Sequence, residues 1–322
     1  MRAGPKPALF RNAALLGTLL TLLNTLIATG ADAISKTLIS TYAAPQLVFL
    51  AGLVAIAVIL SIGRFKGYRA VFHSGAPAAM AGRAVASVVA VTCFFYAFRY
   101  LPFAEVFIFI GIMPCLAAVL SGLFLAERVS PRTWVALILG FVGLLCLFPS
   151  GLHSIQFGHL IGAMASLSGT VSIVLSRHIC KRDTHSLAQV FYQQLANVVV
   201  MGLVLPQVAM AMPLRDVGLL VAYALLVFAT RWLTVVAVRL LPAFIVMQIV
   251  NVQFLWMVIL GKLLFGETTA TYVYVGAGLV VLSGLYLAGA EIMGKIREKT
   301  PNSAADDLLD LLPRASKARA DR

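Results

Sequence analysis

Residues 99–127, RYLPFAEVFIFIGIMPCLAAVLSGLFLAE, form a membrane-length apolar stretch with a charged residue at each end. The chain repeats it 140 residues later at 239–267, RLLPAFIVMQIVNVQFLWMVILGKLLFGE. At that offset Arg99 meets Arg239, Leu101 meets Leu241, Pro102 meets Pro242 and Val106 meets Val246. Leu120, Leu123 and Glu127 meet Leu260, Leu263 and Glu267. Apolar helices coincide at Leu and Val by chance, but an ungapped match from an R-x-L-P start to a terminal Glu marks an internal repeat. The chain therefore reads as two halves, each ending in one such unit plus one further helix.

Working outward, the composition sets the class. The chain is 61% hydrophobic and 11% charged, with mean hydropathy +0.96, which no soluble domain of 322 residues carries. Apolar runs of about 18–24 residues recur, each long enough to cross a ~30 Å hydrocarbon core as a helix. In lipid only helices or closed barrels satisfy the backbone, and runs this uniformly apolar are helices. The expected spans are 13–33, 45–62, 78–98, 103–125 and 133–149, then 159–177, 187–206, 217–238, 243–265 and 272–290. That predicts an all-α integral membrane protein of ten transmembrane helices. Five helices per half is an odd number, so the second half enters from the opposite side, giving two inverted five-helix repeats.

The net charge of +13 first points to nucleic acid, but the Lys and Arg sit at helix ends and in the tail, so no nucleic-acid partner is expected. With the N-terminus inside, nineteen of the 25 Lys and Arg fall on inner segments and three (Lys36, Arg99, Arg215) on outer loops. That bias predicts both termini in the cytoplasm and a multi-pass protein of the cell inner membrane. The domain reading is a basic leader at 1–12, a first repeat at 13–149, a linker at 150–158, a second repeat at 159–290 and a polar tail at 291–322. Ala31-Asp32-Ala33 has the outline of a signal-cleavage site, but the preceding run is long for a signal core. Its removal would leave the first half one helix short. The four cysteines fall in or at the end of apolar runs with no metal-ligand spacing and read as buried small side chains. No cofactor and no metal are expected.

The residues behind a family resemblance are now in view. They are Arg99-Tyr100-Leu101-Pro102, Met113-Pro114, Leu125-Ala126-Glu127, Gly140 and Gly143 in the first half. The second half has Leu241-Pro242, Gly266-Glu267, Gly276, Gly278 and Gly284. Over residues 13–290 the chain resembles the EamA type of the drug/metabolite transporter superfamily. The resemblance implies ten helices in two inverted repeats with cytoplasmic termini. It also implies transport of a small-molecule substrate, since family members export amino acids and other metabolites and some import vitamins or cofactors. The chain departs from the pattern where Phe254 stands opposite Pro114, which predicts an asymmetric mid-helix kink.

Charges inside the bilayer are the first functional candidates. Arg83 lies roughly 9 Å into the third span, and Arg231 lies deeper in the corresponding eighth span. Both suit an anionic group held by charge-assisted hydrogen bonds, against the alternative of snorkelling to the headgroups. Gln189, Gln193 and Asn197 share one face of the seventh span, Gln248 and Asn251 lie on the ninth, and Thr21, Asn24, Thr25 and Thr29 on the first. Amides on three helices favour a polar cavity at mid-membrane over simple helix–helix bonding. The substrate-binding set is therefore Arg83, Arg231, Gln193, Asn197, Asn251, Thr25 and Asn24, with Trp256 and Tyr96 as stacking partners. Asp32 and Glu105, with Lys36 and Arg99 at the outer rim, are candidates for a gate or for proton coupling. Glu127 and Glu267 read as helix-end structural residues. Gly158, Gly162, Ser166 and Thr170 form a small-residue stripe for close helix approach, within the fold or across a homodimer.

The tail motif Asp306-Asp307-Leu308-Leu309-Asp310 matches the magnesium–diphosphate motif of prenyl-transferring enzymes, but it lacks converging partners. The reading is thus a secondary transporter and not an enzyme. The alternatives are a membrane-embedded enzyme on a lipid-linked or prenyl substrate, or a non-transporting scaffold of the same fold.

Overall fold

The computed structural model describes residues 7–101, 103–127, 129–147, 157–182, 185–256, 259 and 271–297. All regular structure among them is helical. In chain order the helices are α1 (Pro7–Ile39), α2 (Ala44–Lys66), α3 (Arg69–Phe72), α4 (Pro77–Tyr100), α5 (Phe103–Gly111) and α6 (Met113–Leu125). Then follow α7 (Pro131–Leu147), α8 (Phe157–Arg182), α9 (Ser186–Val208), α10 (Leu214–Leu240), α11 (Ala243–Val250) and α12 (Thr271–Arg297). Eight helices among the described residues are long and apolar enough to cross a membrane. Pro131–Cys146 and Ala243–Trp256 are apolar but shorter. The described residues form the helices of a multi-pass membrane protein.

Local sequence explains most helix ends. Proline opens α4 and α7, where its missing N–H costs nothing. Ser130 caps α7 by accepting the Thr133 N–H at 3.2 Å. Gly67, at φ 88, ends α2, a conformation that other residues rarely adopt. Several helices run past their expected ends, furthest α1, which continues to Ile39, and α12, to Arg297. The extension of α1 is held by packing, since Leu38 is buried with Tyr42, Leu47 and Leu220.

The helix of residues 103–125 breaks at Ile112, between Gly111 and Met113-Pro114. The expectation of an asymmetric kink is overturned. The second unit breaks at Asn251–Val252, the positions that match Gly111–Ile112, although it has Phe254 in place of the proline. There the backbone tightens into three-residue turns, Val252 N–H to Ile249 O at 3.0 Å and Phe254 N–H to Asn251 O at 3.1 Å. Phe254 is buried against Leu144, Ala277 and Val280, so packing onto α7 and α12 holds a bend that proline sterics hold in the first half.

The small residues set the closest approaches. A Cβ on Gly143 would meet the Gly276 carbonyl oxygen at 2.8 Å and the Val280 nitrogen at 3.0 Å, so α7 and α12 touch backbone to backbone. The stripe on α8 is used within the fold. Gly162 receives the Phe109 ring, Gly158 receives Leu101, and the Ser166 hydroxyl donates to the Phe109 carbonyl.

Two sets of contacts define the ends of the bundle. At one, Tyr42 donates to Asp216 at 2.6 Å, and the Gln46 amide makes paired bonds to the Met210 backbone at 2.7 and 2.9 Å. At the other, Glu127 meets α8, and Arg239 donates to Ser186 at 2.8 Å.

Candidate functional site

Arg83, on α4, sits where α8 and α9 pack against it and is 3% exposed. Its Nη1 donates to the Gln189 carbonyl at 2.9 Å and its Nη2 to Gln193 Oε1 at 3.0 Å. Its Nε is buried without a partner. The guanidinium has five N–H donors, so two are used and three remain. Both acceptors are neutral, and among the described residues no carboxylate pairs with it. A buried charge normally has an opposite charge beside it, because taking a guanidinium out of water costs several kcal/mol.

The acceptors are themselves fixed. Gln193 Nε2 donates to Ser87 Oγ at 2.7 Å, which orients its carbonyl toward Arg83. Ser87 is four residues after Arg83 and shares its face. Gln189 Oε1 accepts from Ser176 at 2.7 Å, its Nε2 donates to Cys180 Sγ at 3.1 Å, and Ser172 donates to the Arg83 carbonyl at 3.2 Å. Ser172, Ser176 and Cys180 lie at i, i+4 and i+8 on α8. That spacing is legible in the sequence, but nothing along the chain shows that this face of α8 turns toward Gln189 and Arg83.

Arg231 is half-buried on α10, with its Nε enclosed and unpartnered. It lies within electrostatic reach of Arg83. Tyr223, two turns along α10, is within electrostatic reach of both Arg231 and Asp32 and bonds to Ser35. The structure thus links Arg83, Arg231, Tyr223 and Asp32 in one series.

The other expected residues divide. Asn197, 1% exposed and one turn beyond Gln193, has neither amide atom partnered. Asn24 donates to Thr234 at 3.2 Å while its Oδ1 is enclosed and unpartnered. Thr25 accepts from Trp256 Nε1 at 3.1 Å, which joins α1 to the segment after α11. Asn251 stands in the break after α11 with a buried, unpartnered Nδ2. Asp32 accepts from Gln253. Tyr96 is not brought to this group; it is exposed and stacks on Tyr100. The Glu105 and Lys36 side chains, Glu267 and the acidic tail motif at 306–310 lie outside the described residues.

Sequence reasoning undervalued the other end of the bundle. Glu127 accepts from Arg177 Nε at 3.0 Å and from Lys181 at 2.9 Å. Arg177 Nη1 also donates to the carbonyls of Val238 and Arg239 at 2.8 and 2.9 Å, capping the end of α10. The turn that aims Glu127 is built by Ala126 in the left-handed conformation, φ 52.

Comparison with known proteins follows from this architecture. Residues 15–148 match the EamA-like transporter family. Two relatives, pseudopaline exporter CntI of Pseudomonas aeruginosa strains UCBPP-PA14 and PAO1, are each 27% identical over 223 residues, 67% of this chain and 77% of theirs. The riboflavin transporter of Vibrio cholerae serotype O1 is 23% identical over 186 residues, 58% of this chain and 62% of its own. A solved crystal structure superposes with TM-score 0.70 at 15% identity over 90% of this chain and 99% of its own, a likeness of fold. Residues 15–148 thus form a segment similar to the EamA-like transporter family, and the relatives named as transporters place the chain beside small-metabolite carriers.

Proposed function

We propose that this small-metabolite transporter is a secondary transporter of the cell inner membrane. It moves an anionic or zwitterionic solute, an amino-acid-like metabolite, vitamin or cofactor, by alternating access. Its ten spans form two inverted five-helix repeats, 13–149 and 159–290, with both termini and the Glu127 end of the bundle in the cytoplasm. One observation carries the reading. Arg83 is buried and Arg231 half-buried within electrostatic reach of each other, and among the described residues neither has a carboxylate partner. A solute carboxylate or phosphate supplies the missing charge through the unused N–H donors of Arg83 and the Arg231 fork.

The polar atoms left enclosed and unpartnered near these cations set the rest of the solute. Asn197 offers a donor and an acceptor, and Asn24 offers an acceptor. Asp32 stands at the far end of the series and, by its carboxylate chemistry, suits a solute ammonium group or a coupled proton. Thr25, Trp256 and Asn251 close the site along α1 and the broken ninth span. Relatives named as a pseudopaline exporter and a riboflavin transporter support a small-metabolite solute.

The test is uptake and efflux of a pooled metabolite set in cells with and without the protein, alongside Arg231→Ala and Arg83→Ala. Loss of one solute's flux in both variants, at equal membrane abundance, supports the reading. Normal transport by both variants refutes the arginines' role.

A further inference from the structure

We propose that Glu127, Arg177 and Lys181 are the cytoplasmic gate of the transport cycle, and that Gln189 couples the opening of that gate to Arg83. The proposal rests on the alternating-access reading above.

Three features separate this cluster from an ordinary surface ion pair. First, it joins parts that must separate for the cytoplasmic side to open. Glu127 follows α6 in the first half, Arg177 and Lys181 are on α8 in the second, and the carbonyls that Arg177 caps end α10. Second, the pair is shielded: the Glu127 and Arg177 side chains are 13% and 15% exposed, where an ion pair is screened less than in open water. Third, it is coupled to the site through one residue. Ser176, adjacent to Arg177, bonds to the Gln189 side chain, and Cys180, adjacent to Lys181, accepts from the same amide. The Gln189 backbone carbonyl holds Arg83. Moving the end of α8 away from α9 breaks both side-chain bonds of Gln189 together. Such a network has two discrete arrangements, which is what a gate requires.

Cys180 provides a native reporter, since its Sγ is occupied by Gln189 and by the Val235 carbonyl while the gate is closed. The experiment uses the full chain with Cys93, Cys115 and Cys146 changed to Ser, in inside-out vesicles, and a membrane-impermeant maleimide. Glu127→Gln should label about tenfold faster than the parent, the population shift expected when a shielded ion pair is lost. Lys181→Gln, which removes one of the two bridges, should label with an intermediate rate and carries the test if the first variant does not reach the membrane. A Ser35→Cys reporter at the opposite end, labelled from the outer face in right-side-out vesicles, should slow in the same variants. Unchanged Cys180 labelling in both variants overturns the gate, as does faster labelling at both ends, which marks a merely loosened bundle. Labelling requires no solute, so the two readings fail separately. Reciprocal labelling without flux of any solute keeps the gate and refutes transport, whereas intact flux with unchanged labelling does the reverse.

Discussion

Replacing Arg83 with Met separates a binding residue from a structural strut. The change removes two hydrogen bonds to neutral acceptors, the Gln189 carbonyl and Gln193 Oε1. Hydrogen bonds to a charged group contribute about 1.5–3 kcal/mol each, so roughly 3–6 kcal/mol is lost. The same change removes a buried guanidinium with no carboxylate partner among the described residues, whose desolvation costs several kcal/mol. Met fills much of the volume, so little cavity term is added. The two sums nearly cancel, and the variant should unfold within about 2 kcal/mol of the parent. Binding has no such cancellation. Losing one charge-assisted pair to a solute anion should weaken affinity by about 10- to 150-fold. Thermal unfolding in detergent reads the first quantity, and solute-induced stabilisation or concentration-dependent flux reads the second. A variant destabilised by more than about 4 kcal/mol, or one that transports at the parental half-saturating concentration, refutes the reasoning.

Other outcomes follow from the same structure. Gly143→Val should destabilise the α7–α12 contact by about 1–3 kcal/mol, because its neighbours are the Leu279 Cβ and the Gly276 and Val280 backbone, none of which can turn aside; Gly82→Ala, whose nearest contact is a Leu175 methyl at 3.4 Å, is the tolerated control in the same unfolding assay. Asn197→Leu should leave stability unchanged or higher by about 1 kcal/mol, since it removes a buried amide with no partner, while flux falls. Ala126→Gly should stabilise the chain by about 1 kcal/mol by relieving the left-handed backbone, read by thermal unfolding. The Tyr42 phenol is held above its ordinary pKa, chiefly by its hydrogen bond to Asp216, which only the neutral form donates. That bond's contribution is complete below the free phenol's pKa and is lost as the pH rises through the raised value. Tyr42→Phe should therefore lower stability at neutral pH, where the bond is intact, and flatten the alkaline limb of the stability profile above about pH 10.

The sequence by itself determined the helices. Apolar runs of membrane length, the prolines that open α4 and α7 and the R-x-L-P repeat located every long helix, because those signals depend only on neighbours along the chain. It also marked Arg83 and Arg231, since a cation in an apolar run is conspicuous wherever the helix lands, and it grouped Gln189, Gln193 and Asn197 by spacing. The tertiary structure decided which faces meet. It alone turns Gln193 toward Arg83 and ties Gln189 to Ser176 and Cys180. It stacks Tyr96 on Tyr100 and bends the second repeat at Asn251–Val252 without a proline. It also joins Glu127 to Arg177, 50 residues away, when each read separately is a charge at a helix end. The physical reason is that helix formation is written in local spacing. Contact between helices depends on their rotation and register, which are set by which side chains fit: a Cβ-free Gly143 against a backbone, or a buried Phe254 in place of a proline.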